Sequence, residues 1–301
     1  MVVFSRASKA DIENLKLLWK KSFFEDDAAV NLFFERKFDP EISYIAKADG
    51  YIASSLYLLP VCLTSGERNY QANYLYGAST DADFRKSGIM GGLIEYAAES
   101  ARKSGDLYSI LLPANKNLYK YYEKFGYERH CFIKFMTLTA SGFKQSRSHL
   151  MSGLNGFTPI AKENYDRDIH IYRLFDIRCK YLRNNAEAYL GWNVDHLDYA
   201  LEYNFLYNGM LFVIEDGYAV VCHIEYGSAE VKEIICPAEK MKFFLESIIL
   251  YLKLDKIKVR TIPNSKMDAL CAEKPVKKEF GMVRCFSQVP LDNIYIGLSI
   301  D

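Results

Sequence analysis

Apolar residues in the first 140 positions change rhythm several times. Ile12, Leu15, Leu18 and Trp19 fall on one helical face behind Ser8-Lys9-Ala10-Asp11. That tetrapeptide has the capping-box pattern, in which a hydroxyl and a carboxylate satisfy the free amides of a helix start. A second helical run, 28–38, ends at Asp39-Pro40. Strand-like runs follow at 44–48 and 51–59, joined by Asp49-Gly50, where glycine supplies the positive φ of a tight hairpin. A polar turn at 65–68 leads to a strand at 73–80. Residues 91–103 return to helical spacing, with Leu93, Ile94, Ala97, Ala98 and Ala101 as the buried stripe. Residues 108–112 form a short apolar strand stopped by Pro113. A helix over 116–124 then closes on Gly126, and strand character runs through 127–138. The order ααβββαβαβ predicts a mixed sheet with helices on both faces.

Much of this order recurs. A strand at 210–215, the turn Asp216-Gly217 and a strand at 218–226 mirror the Asp49-Gly50 hairpin. A strand at 231–236, a helix at 241–252 and a strand at 256–262 stopped by Pro263 follow, and Phe280-Gly281 stands where Phe125-Gly126 stands. The shared order points to an internal duplication, with two unrelated α/β domains as the alternative. The expected layout is a domain over 1–140, a Ser- and Gly-rich linker over 141–155 and a second domain over 156–301.

Composition narrows the function. Half of the 301 residues are hydrophobic and the formal net charge is zero. A chain with no basic excess lacks the footprint of a general nucleic-acid binder and the polybasic segment of a peripheral membrane protein. No stretch approaches the ~20 apolar residues that span a bilayer. The seven cysteines are dispersed without a C-x-x-C pair, as expected of reduced thiols in the cytoplasm. The five histidines lack zinc-ligand spacing, so no metal is expected.

Candidate chemistry concentrates in residues 75–92, a strand, a basic glycine-containing loop and a helix start. Amides at a helix N-terminus are unpaired and point outward, which makes an anion site. Arg85 and Lys86 add positive charge, and Gly88, Gly91 and Gly92 would let a phosphate approach the backbone. Neither the Walker A pattern nor the dinucleotide fingerprint is present. Arg85-Lys86-Ser87-Gly88-Ile89-Met90 resembles the Gln/Arg-x-x-Gly-x-Gly/Ala pyrophosphate loop of the GNAT acetyltransferases, with Met90 replacing the usual small residue. Further on, Asn115 and the run Tyr121-Tyr122-Glu123-Lys124-Phe125-Gly126-Tyr127 resemble that family's later motif, in the right order and with a helix and a strand between.

The resemblance implies an acetyl-CoA-dependent N-acetyltransferase in residues 1–140. Arg85, Lys86, Ser87, Gly88, Ile89, Met90 and Gly91 would hold the pyrophosphate. Ala78, Ser79 and Thr80 would offer backbone groups to the pantetheine arm and the thioester carbonyl, and Tyr122 would protonate the leaving thiolate. Asn115 either contacts the cosubstrate or only caps the helix that follows. Glu25, Asp26 and Asp27 lie where the family shapes its acceptor site and could attract a cationic amine, although Asp26 or Asp27 also suits a helix N-cap. The second half carries neither motif and reads as a degenerate copy, which suggests that it walls the acceptor cleft. The whole resembles tandem GNAT proteins, including the first two domains of the enhanced-intracellular-survival type: two α/β units, each a mixed, mostly antiparallel sheet flanked by helices. In that group the C-terminal carboxylate, here of Asp301, can enter the site. The acceptor is expected to be a small-molecule or peptide amine, without nucleic acid or membrane as partner. A non-catalytic acyl-CoA-binding or sensor protein is the alternative.

Overall fold

The computed structural model describes residues 1–142, 156–263, 275–286 and 291–299. The first half contains β1 (Val2–Arg6), α1 (Ile12–Phe23), α2 (Asp27–Arg36), β2 (Ser43–Ala48), β3 (Tyr51–Ser65), β4 (Arg68–Thr80), α3 (Ile89–Lys103), β5 (Tyr108–Leu111), α4 (Lys116–Glu123) and β6 (Glu128–Thr139). Apart from β1, which the sequence reading does not contain, these are the elements that the periodicity predicts, with shifted ends. β3 and β4 run longer than expected because their far ends are held by tertiary pairing, which local alternation cannot report. Cys62 to Ser65 of β3 pair with a strand from the second half. At the start of α1, the Asp11 carboxylate accepts from the Ser8 amide at 2.9 Å and the Ser8 hydroxyl at 2.8 Å.

The second half contains β7 (Thr158–Ile160), α5 (Arg167–Asn185), β8 (Ala188–Gly191), α6 (Val194–Leu206), β9 (Met210–Ile214), β10 (Gly217–Glu225), β11 (Ser228–Ile235), α7 (Ala238–Leu252), β12 (Lys256–Thr261), β13 (Val276–Cys285) and β14 (Ile294–Tyr295). α5 and α6 have no counterpart in the sequence reading. The buried face of α5 includes Arg178 beside Ile171, Leu174 and Leu182, which breaks its apolar stripe.

Two sequence alignments between the halves need correction. The hairpin pairs Ile214 with Gly217, so its turn residues are Glu215 and Asp216, one position earlier than expected. Gly217 is a strand residue, required because a Cβ there would lie 2.6 Å from the Ile235 carbonyl oxygen and 2.5 Å from the Cys236 Cβ. Phe280-Gly281 is likewise no counterpart of Phe125-Gly126. Gly126 turns the chain after α4 with φ +73°, whereas Gly281 lies inside β13 opposite Cys131. Most of the expected 141–155 linker, and Asp301, lie outside the described residues.

Among the described residues, fourteen strands form one sheet. Its spine runs β1-β2-β3-β4-β5-β13-β6-β12-β11-β10-β9-β7. The two ends repeat one pattern: antiparallel neighbours leading to a parallel pair, β4 with β5 and β11 with β12. At the centre the halves exchange strands. β13 of the second half lies antiparallel between β5 and β6, pairing Met282 with Leu111 and Lys278 with Ile133. β6 of the first half lies against β12, pairing Met136 with Val259. Each half therefore completes the other's hydrogen-bond ladder.

The core follows from that exchange. On one face a single apolar cluster joins Trp19, Phe33, Tyr57 and Tyr74 to Leu174, Trp192, Tyr199, Tyr218 and Ile296. Separate clusters on the other face lie under α3 and α4 and under α7. Inside the shared cluster sits an ion pair between Arg178 and Glu233, at 3.2 Å with side chains 1% and 0% exposed. The Tyr218 hydroxyl donates to Glu233 at 2.5 Å, and the Leu298 amide donates at 3.2 Å. The pair thus ties α5 and β11 to the last described stretch of chain, 294–299. Gly297 has φ +74° there, and a Cβ would stand 2.4 Å from both Arg178 Nη2 and Glu233 Oε1.

Removing one member of so buried a pair leaves an uncompensated charge. Glu233→Ala is expected to cost about 3–5 kcal/mol, read as a lowered denaturation midpoint, whereas the double replacement Arg178→Met with Glu233→Leu should recover much of that loss.

Candidate functional site

The candidate site is a gap in the sheet. The parallel pairing of β4 with β5 runs from Ala72 opposite Tyr108 to Leu75 opposite Leu111 and then stops. β4 continues along β3 to Thr80, while Leu112, Pro113 and Ala114 lead away to α4. Proline at 113 has no amide proton to extend the ladder. A β-bulge sharpens the parting. Tyr76 faces Tyr57 and Ser79 faces Ser55, so Gly77 and Ala78 together oppose Leu56. Gly77 has φ +61°, and a Cβ would sit 2.5 Å from the Trp19 ring. Only glycine lets β4 bend there against the indole.

The parting opens a cavity of about 480 Å³. Tyr76, Gly77 and Ala78 form one wall, Leu112 to Lys116 the other, and Tyr119 and Tyr122 of α4 close one side. Trp19, Phe23 and Glu25 enter from the end of α1, and Tyr203, Glu279 and Phe280 enter from the second half. Ser79 and Thr80 lie further along β4, their hydroxyls each 2.9 Å from those of Ser55 and Ser54. Asn115 has two structural roles. It borders the cavity, and its side chain accepts from the Asn117 amide at 3.0 Å as the N-cap of α4.

Tyr122 is buried, packed edge-on against Tyr121 and Tyr127 at ring distances of 5.4 and 5.8 Å. Burial, reinforced by the two tyrosine neighbours, pushes its ionisation well above the ordinary phenol range. The hydroxyl therefore stays protonated through neutral pH.

The three acidic residues after α1 separate. α1 ends at Phe24, whose φ of +57° is left-handed, and this turns Glu25 back toward the cavity. The Glu25 carboxylate accepts from the Trp19 indole at 2.9 Å and from the Tyr203 hydroxyl at 3.1 Å. Asp26 is the N-cap of α2, accepting from the Ala29 amide at 2.9 Å. Asp27 pairs with Lys20 at 2.5 Å on the surface. Only Glu25 of the three borders the cavity.

Beyond the free end of β4 lies the basic loop. Gly88 caps α3 with φ +83°, and the first helical bond runs from the Gly92 amide to the Gly88 carbonyl at 3.1 Å. The amides of residues 89–91 thus precede the ladder. A Cβ at Gly88 would meet nothing within 4 Å, whereas Cβ atoms at Gly91 and Gly92 would meet the rings of Phe125 and Phe4. The small size of Gly91 and Gly92 serves helix packing, and that of Gly88 leaves the loop surface open. Met90 turns its side chain into the apolar cluster under α3, which leaves its amide at the helix end. Arg85 and Lys86 are exposed, with Arg85 Nε donating to the Thr80 carbonyl at 3.1 Å. Among the described residues, no group of three or more metal-ligating side chains occurs, and no helix is long and apolar enough to cross a membrane.

Trp19, Tyr76, Tyr203, Glu279 and Phe280 are site-lining residues that sequence reasoning missed. Trp19 reads simply as helix stripe and Tyr76 as strand. Nothing near Tyr203, 178 positions from Glu25, links it to this cleft.

Known proteins bear on the geometry in two ways. Residues 4–130 match the family model of the acetyltransferase (GNAT) domain. No curated protein sequence matches the chain. Among solved structures it resembles a GCN5-related N-acetyltransferase from Kribbella flavida, at 16% identity and TM-score 0.73, over 95% of this chain and 72% of that one. It also resembles a probable N-acyltransferase from Enterococcus faecalis, at 14% identity and TM-score 0.74, over 95% and 73%. Eis1 from Mycobacterium abscessus aligns at 10% identity and TM-score 0.68, over 95% and 73%. At such identities the likeness speaks for the fold, and it extends through both halves.

The bulge gives a direct test. Gly77→Ala and Gly50→Ala both place alanine at positive φ, +61° and +88°, but only Gly77 meets another side chain. Both should lose about 1 kcal/mol to the backbone. Gly77→Ala should lose roughly 1–3 kcal/mol more from overpacking, seen as a larger fall in thermal midpoint.

Proposed function

We propose that the protein, whose residues 4–130 match the acetyltransferase (GNAT) domain model, is an acyltransferase that moves an acetyl group from acetyl-CoA to a primary amine within one ternary complex. The observation that carries this reading is the β4–β5 parting, with a basic helix start beyond one end and a buried, protonated Tyr122 in its wall. The pyrophosphate lies over residues 85–91, where Arg85, Lys86 and the amides of Ile89, Met90 and Gly91 offer positive charge and donors. Gly88 leaves room for that approach. The pantetheine arm follows the edge of β4 that β5 has vacated, along Ala78, Ser79 and Thr80, with Asn115 on the opposite lip.

Chemistry then needs a neutral amine, a stabilised oxyanion and a protonated leaving group. The amine nitrogen attacks the thioester carbon, and an amide of the bulged segment polarises the carbonyl oxygen. As the tetrahedral adduct collapses, the C–S bond breaks, Tyr122 gives its proton to the thiolate, and the surplus proton of the amine nitrogen returns through solvent to the phenolate, leaving the amide and the free thiol. Such a general acid contributes about 10²–10⁴ in rate. Its raised pKa has a defined sign. A phenol that loses its proton only above the usual range remains an acid across the working pH, so kcat should not decline up to about pH 10 through this group. The acceptor approaches between Glu25 and the rings of Trp19 and Tyr76, where an ammonium finds a carboxylate and aromatic faces before it is deprotonated. An amine with an apolar body fits those walls.

Two substitutions test this. Tyr122→Phe should lower kcat by about 10²-fold while leaving acetyl-CoA affinity within about twofold, because the hydroxyl acts only as the thiolate forms. Full activity in that variant would return Tyr122 to a packing role. Gly88→Val should weaken CoA binding by at least about tenfold, measured by calorimetry. Unchanged affinity would move the pyrophosphate elsewhere.

A further inference from the structure

The second half presents one helix to the site. α6 carries a stripe of rings, His196, Tyr199, Tyr203 and then Tyr207, preceded by Trp192. His196 stacks on Trp192 at 3.7 Å, and Tyr203 lies 6.4 Å from Tyr199 and 5.2 Å from Tyr207. The adjoining face of α6 is anchored by Asp198, whose side chain is fully buried. It accepts from Arg36 of α2 at 2.6 Å, from Arg167 at 2.9 Å and from the Tyr165 hydroxyl at 2.8 Å. An ion contact between the halves thus fixes the register of α6, and Tyr203 projects toward the cleft of the first half.

Its hydroxyl ends on Glu25 Oε1, while the Trp19 indole holds Glu25 Oε2. A glutamate on a surface turn ordinarily samples several rotamers and loses that freedom when it binds a ligand. Here one donor from each half holds one carboxylate oxygen. Each oxygen keeps acceptor capacity, since a carboxylate has about four lone-pair sites. We propose that Tyr203 is a positioning residue for the acceptor: it acts through Glu25, holding the carboxylate toward the cleft so that the ammonium of the incoming amine meets a pre-aimed charge. This rests on the reading that the amine binds beside Glu25. It gives the second half a defined part in acceptor recognition.

The test is a double-mutant cycle of Tyr203→Phe and Glu25→Gln, with 2-phenylethylamine as the probe. The phenylalanine variant keeps the ring and its packing. Binding is followed on the full chain by the ¹⁵N-indole signals. The chain has two tryptophans, Trp19 beside Glu25 and Trp192 whose indole donates to the Ile296 carbonyl as an internal control. Millimolar amine should move the Trp19 signal and leave that of Trp192 in place. Tyr203→Phe should weaken this binding about tenfold, the loss expected for one hydrogen bond to a charged group. Glu25→Gln should weaken it further, and the double variant should match Glu25→Gln within about twofold. In turnover assays Tyr203→Phe should raise KM for the amine with kcat and KM for acetyl-CoA little changed. Multiplying losses in the double variant, no loss in Tyr203→Phe, or a Trp19 signal indifferent to the amine would overturn the proposal. Coupled binding losses without acetyl transfer would instead overturn the transfer reading and leave this one standing.

Discussion

Insertion of β13 between β5 and β6 is the constraint on which the molecule depends. A backbone amide or carbonyl buried in a sheet must have a partner, and an open edge invites wrong pairing. In the first half, β5 has β4 on one side and would end in an unpaired edge on the other. The chain must travel through the whole second half before β13 arrives to fill that place. Conversely, β12 would face an open edge without β6 from the first half. The exchange makes one sheet of two repeated patterns, and it explains why one apolar cluster spans both.

The site inherits this dependence. The gap between β4 and β5 stays open on one side because β5 is held on its other side by Met282 to Cys285 of β13. β13 also delivers Glu279 and Phe280 to the cavity, and α6 delivers Tyr203. The polar contacts between halves point the same way, since Arg36 with Asp198 and Arg129 with Glu279 each join one half to the other. The second half therefore has a structural part in the cavity of the first.

Much of the first half was legible from the chain alone. Stripes such as Leu93, Ile94, Ala97 and Ala101 record local burial, and Arg85 to Met90 and Tyr121 to Tyr127 are contiguous motifs whose spacing carries their meaning. Features set by distant parts of the chain were not legible. Glu25, Asp26 and Asp27 look alike in sequence. The left-handed turn at Phe24 and donors from Trp19 and Tyr203 bring one of them to the cleft and leave the others to capping and to Lys20. Gly281 looked like a second Gly126 because Phe-Gly recurs, yet the close approach of Leu111 and Cys131 is what requires it. The strand exchange itself has no local signature, because β6 reads as an ordinary terminal strand of its own half and the sequence around Phe280-Gly281 gives no sign of β13.

The interlock of the halves is tested most directly by the ¹H–¹⁵N correlation spectrum of residues 1–142 expressed alone, recorded before and after mixing with residues 156–301. Without β13, the fragment is expected to give the narrow amide dispersion of a chain that cannot complete its sheet, and mixing should restore a dispersed spectrum. A well-dispersed spectrum from the isolated fragment, with the amides of β5 and β6 already at the positions they hold in the full chain, would contradict the account.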